Sequence, residues 1–360
     1  MAIRVALIGT GNVGHLALIQ LITSPDYELM AVGVSTESKI GKDAGELAGL
    51  DIVTGVTATD DLDALIATRP DCVVYCAMGD TRTGPAIKDC QKILEAGINV
   101  VGSAPVILQF PWKLLPDKYI DRVEASAQQG DVSIFITGVD PGFANDLLPL
   151  ALAGTCQRVE QIRVMEIADY ATYDGATVMV DVMGFGRPLD EVPVLFQPGV
   201  LGLTWGTTIR QLAVGLGIEV DEITETFEQE PAPEAFDVAV GRIDKGTVAA
   251  MRFEIHGKVN GHSAIVVEHV TRLRDDLRPD WARPAQEGGS YRIEIIGEPS
   301  YAVDICPTSE KGDHNHAAIV AAAGRIVNAI PVVLDAPAGL RTTLDLPLVT
   351  GKGLYTGSVD

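Results

Sequence analysis

Between positions 164 and 174 the chain reads VMEIADYATYD, which places Glu166, Asp169, Tyr170, Tyr173 and Asp174 within nine positions. Carboxylates and phenols can hold or deliver a proton beside a reacting carbon. Alternation along a strand sets Glu166, Ala168 and Tyr170 on one face and Asp169, Ala171 and Tyr173 on the other. A bend at the strand end would let Tyr170 and Tyr173 both line a pocket. The alternative is a pair of half-buried sheet aromatics next to a solvated aspartate.

Two further places supply acid-base groups. In GVDPGFAND, Asp140 could polarise a substrate and Asn145 could hold a carboxamide, while Asn145 or Asp146 alternatively caps the helix that follows. His269 shares a strand face with Ile265 and Val267, which leaves open a core histidine or a proton donor. His314 and His316 stand at i, i+2, unlike the i, i+4 pair that puts two metal ligands on one helical face, and no third ligand is evident. The sequence predicts no metal.

Positions 9–14 read GTGNVG, after an apolar run and before a helical pattern. In that setting Gly9 permits a tight turn, Gly11 lets backbone approach a pyrophosphate, and Gly14 lets helix pack on strand. Thr10, Asn12 and Val13 complete a cradle whose free amides face the anion. The second strand ends in Val34-Ser35-Thr36 with no carboxylate at its tip. Ser35, Thr36, Ser38 and Lys39 form a hydroxyl and ammonium set suited to a 2′-phosphate, so NADP is the expected cofactor. Glu37 keeps NAD as the alternative. Ala77, Met78 and Gly79 after the fourth strand, and Ser103 and Ala104 after the fifth, stand where the cofactor's reactive ring is expected.

The elements that must position these groups follow from periodicity. Strands are predicted over 3–8, 29–34, 52–58, 72–77, 99–103 and 133–138, alternating with helices over 12–22, 61–68, 84–96 and 116–129. This is the pattern of βαβ units and a doubly wound parallel sheet. Longer alternating strands over 161–171, 250–259, 264–271, 290–297 and 301–306, with helices near 177–183 and 202–215, predict a second α+β domain on an open sheet. Positions 219–234 read as an acidic, solvated connection. A last helix from an Asp313 cap should stop at Pro331 and lie against the first domain. The expected domains are 1–140, 141–312 and 313–360.

The 360 residues carry 27 Lys and Arg against 49 Asp and Glu, a formal charge of -22, which argues against nucleic acid or an anionic membrane as a partner. No apolar run reaches the ~18 residues of a membrane span, and the start lacks the shape of a signal peptide. Five cysteines without a CxxC pair suggest reduced, buried thiols and a cytoplasmic protein.

GTGNVG, INVVGSAPVILQFPW at 98–112, TGVDPGFANDLLP at 137–149 and AIPVVLDAPAGLRTTLDLPLVTG at the end together resemble the dihydrodipicolinate reductase-like family, in the branch of 2,4-diaminopentanoate dehydrogenases and native amine dehydrogenases. The resemblance implies a Rossmann domain, an α+β domain that shapes the substrate pocket and a homodimer, and hydride transfer between NAD(P)H and a C=N or C=O carbon. Members of the amine branch carry a glutamate just ahead of an aromatic-Pro pair. Here that pair is Phe110-Pro111, preceded by Val106-Ile107-Leu108-Gln109, and the carboxylate is missing. The His-His pair and lysine of the diaminopimelate-pathway reductases are also missing from residues 164–173.

The expected protein is an NAD(P)H-dependent oxidoreductase acting on an imine or ketone carbon. Tyr170, Tyr173, Asp140 and His269 are its proton-source candidates, and Val106, Ile107, Met183 and Phe185 its apolar pocket. A carbonyl reductase that ignores ammonia and a cofactor-binding protein with little catalysis are the alternatives.

Overall fold

The computed structural model describes residues 2–79, 82–310, 312–355 and 357. Its elements begin with β1 (Ile3–Ile8), α1 (Asn12–Thr23), β2 (Tyr27–Gly33), α2 (Ala44–Leu47), β3 (Ala58–Thr59) and α3 (Leu62–Ala67). They continue with β4 (Cys72–Tyr75), α4 (Thr83–Glu95), β5 (Asn99–Gly102), α5 (Asp117–Gly130), β6 (Ser133–Ile136) and α6 (Leu147–Ala153). Next come β7 (Arg158–Asp169), α7 (Val200–Thr204), α8 (Gly206–Leu216), β8 (Glu222–Pro231), β9 (Phe236–Val238) and β10 (Gly241–Ile243). The last are β11 (Val248–Val259), β12 (His262–Arg272), β13 (Gly289–Glu298), β14 (Tyr301–Ile305), α9 (His314–Leu334) and β15 (Gly339–Arg341). Met1–Gly138 with Ile319–Asp360 make unit 1, and Val139–Ala318 make unit 2.

Unit 1 is a parallel sheet in the order β15-β6-β5-β4-β1-β2-β3. The reversal of strand order at β1 and β4 is the switch point at which doubly wound sheets bind ligands. Strands β4, β5 and β6 are buried throughout, because helices cover both faces. Ile93 and Leu94 of α4 and Val123 of α5 pack on one side. Leu18 and Leu21 of α1 and Ile326, Ile330 and Val333 of α9 pack on the other.

Two expectations for unit 1 need correction. The strand over 52–58 shrinks to β3, because the Asp43 carboxylate accepts hydrogen bonds from the Thr54 and Gly55 amides and holds that stretch as a loop. The last helix runs through Pro331 instead of stopping there. A proline at 331 cannot donate to the carbonyl of Val327. The Tyr27 hydroxyl donates to that carbonyl at 3.0 Å and replaces the missing bond. Among the described helices α9 alone is long and apolar enough to cross a membrane by length and composition, yet its apolar residues serve as core.

Unit 2 is built on a mixed sheet in the order β14-β13-β7-β12-β11-β8. Only the β7–β12 pair is parallel. The expected solvated connection over 219–234 is instead edge strand β8, whose EITETF alternation pairs with β11 despite its acidic composition. Glutamates along it protect an edge from further pairing. On one face of the sheet, Phe253, Ile255, Ile265 and Val267 pack with Leu201 of α7 and Ile209 and Leu212 of α8. The residues at 177–183 form a single π-helical stretch, Thr177–Val182.

Candidate active site

In unit 1, Gly9 has φ +93°, and a Cβ there would lie 2.5 Å from the Ala77 nitrogen. A Cβ on Gly14 would meet the Gly9 carbonyl oxygen at 1.8 Å, so α1 sits closer to the β1 turn than any side chain allows. Space is open around Gly11, which precedes α1 with no side-chain cap on the helix amides and no acid in its first turn. Turn, approach and packing thus fit the pyrophosphate of a dinucleotide. Lys39, in a one-turn helix after β2, donates from Nζ to the carbonyl of Thr10 at 2.8 Å and to its hydroxyl at 3.0 Å. The loops after β4 and β5 touch: a Cβ on Gly79 would lie 3.0 Å from Ala104. Ser103 stays within this loop pair, its amide bonded to the carbonyl of Tyr75.

In unit 2 the ladder aligns chemistry in one row. Phe253 on β11 is the partner of His269 on β12, His269 of Glu166 on β7, and Glu166 of Tyr291 on β13. The His269 ring stacks on Phe253 with centroids 4.7 Å apart and meets the Trp205 indole edge-on at 4.6 Å. Its Nδ1 lies 3.2 Å from Glu166 Oε2, and its Nε2 lies 3.2 Å from Asp140 Oδ2. The other Asp140 oxygen accepts from Trp205 Nε1 at 2.9 Å and from Asn145 Nδ2 at 2.5 Å. Tyr170 donates its hydroxyl to Glu166 Oε2 at 3.1 Å, as strand alternation predicts for residues 166 and 170, and its ring stacks on Tyr173.

Burial by itself would lower the pKa of His269, but Asp140 and Glu166 outweigh it and hold the imidazole up at about 10. Burial first, and then the Glu166 charge, keeps the phenols of Tyr170 and Tyr291 well above their ordinary value, so both remain hydroxyl donors at neutral pH. Two acids therefore enclose one imidazolium, an arrangement that favours a cation. As they stand, the three groups do not form a chelate. Their ligand atoms lie within 4.8 Å of one another, yet the carboxylates contact opposite ring nitrogens, whose lone pairs diverge.

The structure gathers Asp140, His269, Tyr170 and Tyr173 into this one neighbourhood of unit 2. Asn145 belongs to it as well: its Nδ2 donates to Asp140 and its Oδ1 accepts from the Gly142 amide. Asp146 takes the cap of α6. The residues expected as apolar lining are divided between the two units. Ile107 is packed in unit 1's core, Val106 opens the one-turn helix that contains it, and Met183 and Phe185 are in unit 2's core, the cluster against which Tyr170 and Tyr173 also pack. Glu166, Trp205, Tyr291 and His314 were not singled out as site residues. Glu166 carried a usable signal, because alternation put it on the face of Tyr170; the others depend on cross-strand register and loop placement.

Residues 143–354 match the family of the 2,4-diaminopentanoate dehydrogenase C-terminal domain. Over 346 residues the chain is 40% identical to an amine dehydrogenase of Streptomyces virginiae, covering 94% of this chain and 95% of that one. The chain belongs to this dehydrogenase family. It is also 26% identical to the 2,4-diaminopentanoate dehydrogenase of Acetoanaerobium sticklandii, over 96% of this chain and 94% of that one. Its fold is that of the amine dehydrogenase from Mycobacterium smegmatis, with a TM-score of 0.79 and 21% identity over 97% of each chain. This dehydrogenase is therefore an oxidoreductase with a Rossmann-like α/β unit and a mixed-sheet unit.

Proposed function

We propose that this dehydrogenase interconverts an amine and the corresponding carbonyl compound with NADP, and that Glu166 is the base which the loop ahead of Phe110-Pro111 lacks. The observation that carries this reading is the buried Asp140–His269–Glu166 cluster. When bound, the dinucleotide accepts or returns the hydride. Everything else falls to the chain. Glu166 takes a proton from the substrate ammonium, with the Tyr170 hydroxyl and the His269 imidazolium stabilising its carboxylate. The imidazolium, already protonated at neutral pH, acts here as a fixed positive charge beside the two carboxylates and not as the acceptor of the substrate's proton. Asp140, fixed by Asn145 and Trp205, keeps the ring oriented.

In unit 1, Gly9, Gly11 and Gly14 hold the pyrophosphate, and Ser35, Thr36, Ser38 and Lys39 favour the 2′-phosphate. Five unpaired cysteines fit a reducing cytoplasm, and the family likeness supports a homodimer. The decisive assay follows NADPH and NADH oxidation with a panel of ketones, with and without ammonium. Turnover requiring ammonium, faster with NADPH, and cut by about 100-fold or more in Glu166→Gln supports the reading. Turnover without ammonium would make the protein a carbonyl reductase, and saturable NADPH binding without turnover would make it a binding protein.

A further inference from the structure

Among the described residues, the ammonium of Lys39 is bound to neutral oxygens alone. Its Nζ donates to the carbonyl oxygen of Thr10 at 2.8 Å and to the Thr10 hydroxyl at 3.0 Å. Lys42 and Lys92, by contrast, are each paired with a carboxylate, Glu46 and Asp63. In a chain with 49 acidic and 27 basic residues, a half-buried ammonium kept off carboxylates leaves its charge open to an anion from outside.

The direction of the two bonds fixes what remains. An ammonium has three hydrogens and no lone pair, so the Thr10 hydroxyl must accept, and its own hydrogen is left to donate. Lys39 has spent two of its hydrogens and keeps the third. The pair therefore offers two hydrogen-bond donors and one positive charge, and the ammonium polarises the hydroxyl into a better donor. Thr10 belongs to the turn after β1 and Lys39 to the one-turn helix after β2, so the pair joins the segments that meet a dinucleotide's pyrophosphate and its adenosine ribose.

We infer that Thr10 is a specificity-determining residue for the cofactor: its hydroxyl, held by Lys39, donates to the 2′-phosphate of NADP, so that the glycine turn itself distinguishes NADP from NAD.

A phosphate is the group this pair selects, because its oxygens only accept and carry the opposite charge. A bare ribose hydroxyl would gain little from the charge. The pyrophosphate is the other anion of the cofactor, and the open space at Gly11 and the uncapped amides of α1 already suit it.

The inference rests on the NADP reading above, and binding measurements separate the two. NADPH and NADH affinities are read from the fluorescence of the reduced nicotinamide in wild type, Thr10→Val, Thr10→Ser and Lys39→Met. Valine keeps the β-branched shape in the turn and removes only the hydroxyl. Thr10→Val should weaken NADPH by about tenfold and NADH by less than about twofold, while Thr10→Ser should match wild type. In the Lys39→Met background the same Thr10→Val change should weaken NADPH by less than about threefold, because hydroxyl and ammonium act together. Equal weakening of both coenzymes in Thr10→Val, the result of a pyrophosphate contact or a damaged turn, overturns the inference, and so does an unchanged NADPH affinity. If wild type binds NADH as tightly as NADPH, the NADP reading fails, and displacement of bound NADH by adenosine 2′,5′-bisphosphate and by adenosine 5′-monophosphate decides the role of Thr10. A preference for the bisphosphate that is lost in Thr10→Val upholds it; equal displacement by the two overturns it.

Discussion

Burial acting alone would strip the proton from His269, and two carboxylates keep it there until about pH 10. In the unfolded chain the same imidazole titrates near 6.5. Its contribution to stability is therefore complete below pH ~6.5 and is lost as pH rises through about 10, because over that window the folded state holds the proton that the unfolded chain releases. His269→Gln should thus be less stable than wild type at pH 6, and thermal melts of the two should converge as pH approaches 10. A constant difference across that range would mean that His269 does not ionise in the fold as its neighbours imply. Position matters as much as charge: Trp205 and Asn145 both bond the one Asp140 oxygen that does not face the ring, which fixes the direction from which the carboxylate acts.

At the scale of elements, the β1–α1 turn and the sheet of unit 2 answer to different forces. The turn is steric. Gly14→Ala would push a methyl group into the Gly9 carbonyl, so α1 must retreat from β1 and its amides with it. NADPH binding, followed by its fluorescence, should weaken at least tenfold while unit 2 keeps its stability. The sheet face opposite α7 and α8 is electrostatic. Glu268 is 3% exposed and accepts from Arg252 Nε at 2.7 Å and from Arg163, which also reaches Glu254 at 2.6 Å. His256, and then Arg163 and Arg252, hold Glu254 down at about 2. Removing Glu268 leaves Arg163 and Arg252 to share Glu254, and Glu268→Ala should cost about 2 kcal/mol in denaturant unfolding, whereas a loss below about 1 kcal/mol would show that water reaches those guanidiniums freely.

These two elements also show what a linear reading can recover. The glycine turn is local: strand, turn and helix lie within some twenty residues, and each glycine has its own steric reason. The row through Phe253, His269, Glu166 and Tyr291 joins four strands from distant parts of the chain, and its register is set by pairing that no single segment contains. Alternation places Glu166 with Tyr170 because Glu166 lies on β7 and Tyr170 directly follows that strand's end. It could not place His269 beside them, and it gave no hint that Asp140 would arrive from a loop. The stretch 219–234 departs from expectation for a similar reason, since its acidic composition suits solvent while the β-branched and aromatic alternation of β8 is satisfied by pairing with β11.

For the whole molecule, a formal charge of -22 on 360 residues implies repulsion that folding must overcome. Raising ionic strength from about 0.01 M to about 0.15 M shortens the Debye length from about 30 Å to about 8 Å and should relieve that repulsion, while exposed ion pairs lose only a few tenths of a kcal/mol each. Tm is expected to rise over this interval. A fall would mean that the arginine–carboxylate lattice of unit 2 outweighs the net charge.

The Tyr27 hydroxyl on the Val327 carbonyl spans 300 residues of sequence, and β15 pairs with β6 across a similar gap. Unit 1 thus receives its last strand and one of its covering helices only after unit 2 has been synthesised. On the ribosome the first 138 residues must wait with the surface meant for α9 uncovered and the β6 edge unpaired, while Val139–Ala318 emerges with its sheet entire. Unit 1, nucleotide cradle included, therefore reaches its complete packing only once α9 and β15 have been made.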